Sequence, residues 1–204
     1  MATRRKYELK KRAERLDEVR WRIVDAAIGL HAEIGPAQTT VTEIARRAEV
    51  GRLTVYRHFP DEESLYRACG ERWLGEYPPP DPQRWLETPD PALRTRLALA
   101  ELYEYYALAG VLLANVIRDA AIVPPLRVVL DENLGAIAEQ MRDALVHGWS
   151  VRGRRRARLR AVLGLVLAFQ TWQSLADEGL TTEEAADVAT DLVRASAPVE
   201  VGAG

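Results

Sequence analysis

Residues 50–65 read VGRLTVYRHFPDEESL. Gly51 and Pro60 bracket a run that holds only about two helical turns. At about 100° per residue, Val55 and Phe59 share one face of that helix, and Leu53 and Arg57 fall roughly opposite them. Thr54 and Tyr56 lie on the flanks, with Arg52 and His58 nearer the anchored side. Two apolar residues therefore hold the helix, and its other tips point elsewhere. An outward arginine can make paired bonds to guanine O6 and N7, and an outward leucine can meet a thymine methyl. Thr54, Tyr56 and His58 stand where tips reach phosphates on either wall of a major groove. A solvated surface helix with one stray leucine has the same pattern, and the wheel by itself leaves the two readings level.

The residues upstream extend the pattern. Thr40-x-x-Glu43 fits a capping box, and Val41, Ile44, Ala45 and Ala48 form the buried face of a helix over 41–48. A turn at Glu49-Val50-Gly51 leads into the helix at 52–59. Two short helices joined this way have helix-turn-helix geometry, the first lying across the DNA backbone with Thr40 and Thr42 near a phosphate. Leu16, Val19, Ile23, Ala26, Ala27, Leu30 and Ile34 recur at three and four residues and make one apolar stripe. Gly35-Pro36 stops that helix, whose start reaches back to about residue 8. Asp61 can cap a further helix over 62–76.

Six of the eleven prolines fall between Pro78 and Pro91. Proline lacks the donor and the freedom a helix interior needs, so this stretch is a loop or hinge. Beyond it the periodicity predicts helices at about 91–109, 111–120, 126–148, 154–178 and 182–196, the last opened by a second capping box, Thr181-x-x-Glu184. No period-two alternation bounded by turns occurs. The expected fold is all-α with about nine helices: a reading domain at 1–60 with a basic arm at 1–15, a connecting helix at 61–76, and a second helical domain at 77–204.

The 204 residues are 48 % apolar, enough for real cores. Residues 1–72 hold 15 Lys/Arg against 12 Asp/Glu, whereas residues 73–204 hold 13 against 18. That asymmetry suits an anionic partner for the first part alone. Cys69 is the one cysteine, so no intrachain disulfide can form; it reads as a small buried apolar residue. His31, His58 and His147 lack metal-ligand spacing, and no metal or cofactor is expected. No nucleophile–base pairing or phosphate loop appears, which argues against an enzyme. The charged start does not read as a secretory signal, and no stretch approaches 18 uncharged apolar residues, so the expectation is a cytoplasmic protein with no membrane span.

From Arg22 to Leu65 the chain resembles the DNA-binding domain of the TetR family of transcriptional regulators. The matching stretches are IVDAAIGLHAEIG, TTVTEIARRAEV and GRLTVYRHFPDEESL, and T-V-Y-x-H-F followed by P-x-x-x-S-L is the specific part. The resemblance implies a homodimeric repressor that binds a palindromic double-stranded DNA operator and releases it when a small molecule occupies the second domain. It puts Thr54, Tyr56 and His58 on phosphates or base edges, and Arg52, Leu53 and Arg57 at positions that vary with operator sequence. Two residues depart from the family pattern. Gly51 stands where Ser or Thr often caps the recognition helix, and Glu62 stands where a DNA-touching lysine is common. Arg4, Arg5, Lys6, Lys10, Lys11 and Arg12 are candidates to supply that lost charge along phosphates or in the minor groove; a charged solubilising tail is the plainer reading.

The last two helices resemble the family's dimer interface in layout. Leu159, Val162, Leu163, Val166, Val188 and Leu192 are the expected contacts, in a four-helix bundle across a twofold axis. The run VRGRRRARLR is expected to pair with acidic neighbours or face solvent rather than bind nucleic acid. Trp85, Tyr103, Tyr106, Asn115, Arg118, Met141, Trp149, Phe169, Trp172 and Gln173 are the candidate lining of an effector pocket, for a small, largely apolar or aromatic ligand. A helical dimer that binds small molecules or proteins without an operator is the alternative reading.

Overall fold

A computed structural model describes the backbone of residues 2–197 and the side chains from residue 16 onward. The described residues are helical with no strands. The chain divides into two compact units, residues 1–78 with 111–131 and residues 79–110 with 132–204.

The first unit opens with α1 (Ala2–Ile34), followed by a single 3-10 turn at Pro36–Gln38, α2 (Val41–Arg47), α3 (Arg52–His58) and α4 (Glu62–Glu76). Its core gathers Ile23, Val24, Ala27 and Leu30 of α1, Ile44 and Ala45 of α2, Val55 and Phe59 at α3, and Leu65, Ala68 and Cys69 of α4. The stripes anticipated from the sequence therefore all face one another. Both capping features form. The Thr40 hydroxyl accepts from Glu43 N at 3.2 Å while Thr40 N donates to the Glu43 carboxylate at 3.1 Å, and Asp61 accepts from Ser64 N at 2.8 Å. Cys69 is buried, and burial pushes its thiol up to about 12, so it is inert packing.

Residues 111–131 were expected in the second domain, yet they pack with the first unit. The Asn115 amide donates to two last-turn carbonyls of α1, that of His31, which also accepts from Gly35 N, and that of Ala32. The Asp119 carboxylate accepts from Ala37 N at 2.9 Å and from Arg118 at 2.7 Å. Burial works against the charge on Asp119, but these two bonds outweigh it and hold the carboxyl below its usual range. Gly35 sits at φ +88, and a Cβ there would come within 2.5 Å of Asp119, so only glycine lets the two segments approach this closely. Tyr66 joins Ala120, Leu126 and Val129 in a small apolar cluster.

The second unit comprises α5 (Pro82–Trp85), most of α6 (Pro91–Ala120) and α7 (Pro124–Val146), then α8 (Gly153–Val166), α9 (Phe169–Asp177) and α10 (Thr182–Ser196). Three sequence expectations change here. The helices at 91–109 and 111–120 are one: Gly110 costs only about 1 kcal/mol inside a run of strong helix formers, too little to break it. The fused α6 is, by length and composition, long and apolar enough to cross a membrane, contrary to expectation. Its Leu99, Leu102, Tyr103 and Leu113 are buried in protein, while Leu108 and Val111 are exposed.

The long helix expected at 154–178 is broken at Leu167-Ala168 into α8 and α9. The carbonyls freed by the break are taken by side chains. The Tyr103 hydroxyl donates to Val166 O at 2.9 Å, the Tyr106 hydroxyl to Leu167 O at 2.7 Å, and the Thr171 hydroxyl to Leu165 O at 2.6 Å. A helix end buried without such donors would be costly.

Candidate nucleic-acid interface

The turn between α2 and α3 closes α2 with two backbone bonds, Val50 N to Ala45 O and Glu49 N to Arg46 O. These are the paired bonds of a Schellman closure. The residue in the left-handed region is Glu49, at φ 54, not the glycine two positions on. Gly51 instead serves as the N-cap of α3 in extended conformation, without a side-chain cap. A Cβ at Gly51 would meet only Thr54 Oγ1 at 3.9 Å, so the space admits a larger residue.

From that turn α3 leaves with Val55 and Phe59 buried and its other face bare. Leu53 is 80 % exposed and Tyr56 51 %. Arg52 and Arg57 are exposed, and Thr54 and His58 half-buried. Leaving a leucine in water forfeits about 1.5–3 kcal/mol of burial, which the rest of the unit must supply. The Arg52 guanidinium reaches Thr42 Oγ1 at 3.5 Å, so α2 and α3 present one continuous polar edge. Thr40 is committed to its own cap, where its hydroxyl also donates to Glu43 at 2.7 Å.

One neighbour escaped the sequence reading. The Arg20 guanidinium of α1 lies 4.6 Å over the Phe59 ring. Burial, then the charges of Arg20 and Arg57, lower the pKa of His58, against a smaller opposing pull from Asp17. His58 is thus neutral at pH 7 and offers one donor and one acceptor. Arg20 belongs to no apolar stripe and no short motif, so only the folded arrangement brings it to α3. The basic side chains of the amino-terminal arm lie outside the described residues.

The family model described as bacterial regulatory proteins, tetR family, matches residues 23–69, which are the α1–α4 core just described. The chain carries the TetR-family helix-turn-helix domain. Over 68 residues it is 38 % identical to an HTH-type transcriptional repressor from Mycobacterium tuberculosis and to an HTH-type transcriptional regulator from Mycobacterium bovis. Each match covers 33 % of this chain and 36 % of the relative, so the chain spans about a third of the length of the curated relatives it matches. Among solved structures, a TetR-like regulator from Rhodococcus sp. RHA1 is similar, with TM-score 0.63 at 18 % identity over 89 % of this chain and 97 % of that one. The regulator FadR from Bacillus subtilis, in complex with stearoyl-CoA, gives 0.61 at 17 % over 87 % and 97 %. The multidrug binding protein EbrR, complexed with imidazole, gives 0.58 at 22 % over 91 % and 93 %. At these identities the likeness shows that the TetR fold extends through the second unit.

The other expected site residues divide sharply. Leu159, Leu163 and Val166 have no exposed surface; they are spent on the core of the second unit and have nothing left for a partner chain. Residues of α6, α7 and α10 of the same chain pack against these three. Val162 is half-buried, while Val188 and Leu192 are exposed. Of the expected pocket lining, Trp85, Tyr103, Tyr106, Met141, Trp149 and Trp172 share the core cluster of the second unit. Asn115 and Arg118 belong to the first unit, bonded as described. Trp85 donates to Glu101 at 2.7 Å, and Met141 is core. Tyr106, Phe169 and Trp172 pack ring against ring, with Tyr106 edge-on to Phe169 at 5.4 Å. Gln173 is half-buried beside them. Among the described residues no group of His, Cys, Asp and Glu is placed to hold a metal.

Proposed function

We propose that this chain is a ligand-responsive transcriptional repressor that acts in the cytoplasm and binds a palindromic DNA operator as a homodimer. The observation that carries this is the bare face of α3: Leu53, Tyr56 and Arg57 stand in solvent on a helix pinned from behind by Val55 and Phe59. Arg57 and Leu53 read base edges, while Tyr56, Thr54, His58 and Thr42 bond phosphates. One two-turn helix reads only a few base pairs, so a usable specificity needs two copies about one DNA turn apart. Leu165, Val188 and Leu192 are large apolar residues left exposed on α8 and α10, and they are the surface offered for pairing. The second unit takes a small organic effector with an apolar or aromatic body. Its binding shifts the spacing of the paired α3 helices by differential affinity for two states, typically about 1–3 kcal/mol. α6 and α7 each contribute residues to both units and so carry the coupling.

Selection of bound sequences from a random duplex pool tests this reading. A palindrome with half-sites about one turn apart supports it. A pool that never enriches, from a chain that is dimeric in solution, favours the helical binding module without an operator; the uncapped Gly51 and the acidic Glu62 at the start of α4 are the observations behind that second reading.

A further inference from the structure

The arginine run at 152–160 has no part in the reading so far. Arg160 is consumed by Glu139 and Asp143 of α7. Arg152 and Arg156 are exposed and make no ion pair among the described residues. Both line an open cavity of about 1240 Å³ within the second unit, where the start of α6, the turn after α7, the start of α8 and the end of α10 meet.

Another cation lies beneath it. Gly148, at φ +84, forms part of the wall, and the atoms nearest to a Cβ placed there include both terminal nitrogens of Arg94, at 3.7 Å. Arg94 is 2 % exposed. Its guanidinium donates only to carbonyls: Thr88 at 2.9 Å, Pro89 at 3.2 Å, Ala144 at 3.3 Å and His147 at 2.6 Å. Carbonyls satisfy its hydrogens without cancelling its charge, and Asp90 is the carboxylate that acts on it. Asp90 is the carboxylate in the cavity wall, and it is already occupied in capping α6 through Ala92 N and Leu93 N. Arg152, Arg155 and Arg156 in the wall and Arg94 beneath it thus make four arginines acting on this cavity, against the one carboxylate of Asp90 in the wall. The wall also holds Pro91 and Trp149, and the Trp149 indole N–H is buried with no acceptor among the described residues. The uncapped first turn of α8 adds positive potential of the same sign.

We propose that this cleft binds the oxyanion head, a phosphate monoester or a carboxylate, of a small ligand whose apolar body lies along Trp149 and Pro91. Arg152 and Arg156 grip the head by forked, charge-assisted bonds, and Arg94 supplies fixed field from below. The assignment rests on the ligand-responsive reading for its purpose, but its measurement needs no DNA. A failed operator selection and a failed titration are therefore separate results.

Calorimetric titration of the full-length chain with 1-naphthyl phosphate, 1-naphthoate and neutral 1-naphthol tests it. At least one anion is expected to bind, with naphthol at least about tenfold weaker, as the loss of a charge-assisted contact implies. The phosphate ester binding tighter assigns the site to phosphate monoesters, and naphthoate binding tighter assigns it to carboxylates. The double variant Arg152→Gln/Arg156→Gln should weaken the preferred anion by about tenfold or more while helical circular dichroism and melting stay unchanged, because both side chains are in solvent. Absence of anion binding at millimolar concentration, naphthol binding as tightly as the anions, or an unaffected double variant each overturns the assignment.

Discussion

Tyr56 on α3 and Tyr103 on α6 look alike in sequence, each in a helical run with aromatic and polar neighbours. Their fates are opposite. Tyr56 is 51 % exposed, whereas Tyr103 has no exposed surface and its hydroxyl caps a broken helix. The first unit thus spends its polar tips outward, on a helix held by two residues. The second spends them inward, on carbonyls released where α8 ends. An aromatic residue with a polar tip is therefore a site or a strut according to whether an orphan acceptor lies within its reach.

The contrast is most easily broken at Tyr103. Tyr103→Ala should cost about 3–5 kcal/mol by removing a buried ring and uncovering the Val166 carbonyl. Denaturant titration checks this, with Tyr56→Ala as the near-neutral counterpart; equal costs would erase the distinction.

Next comes a pH effect confined to the first unit. Burial, opposed in part by Asp119, lowers His31 from 6.5 to about 4. Between those values the unfolded chain holds the extra proton, so stability must fall as pH drops from about 6.5 toward 4. The loss is at most about 3 kcal/mol. Unfolding midpoints at a series of pH values should show this slope, and His31→Gln should remove most of it.

Arg57→Ala should then weaken binding to the selected operator by about 1–3 kcal/mol and relax one base position per half-site. Tyr56→Ala should weaken all sequences alike. A base preference left intact by Arg57→Ala would show that Arg57 reads no base.

The smallest effect sharpens the turn. Glu49 occupies a left-handed position that glycine adopts without penalty, so Glu49→Gly should stabilise the chain by up to about 1 kcal/mol. Thermal melting detects a gain of that size.

The first unit was legible because its signals are local. The Thr40-x-x-Glu43 box, the Asp61 cap and the Val55/Phe59 anchor each bind residues a few positions apart, and each forms as read. Gly51 caps α3 without a side chain, as read, while the left-handed residue the turn needs is Glu49. The second unit misled because its decisive contacts are distant in sequence. Nothing near Leu167 announces a helix end; the hydroxyls that make the end tolerable come from residues more than sixty positions earlier.

By itself, then, the sequence determined the helical class, the helix-turn-helix and the outward pair Leu53 and Arg57, because periodicity and caps act within one or two turns of backbone. Tertiary structure decided which apolar residues were left over, that residues 111–131 fold against α1, and that Arg94, Arg152 and Arg156 gather at one cleft. Those outcomes depend on burial and unpaired polar groups, which exist only once distant segments have met.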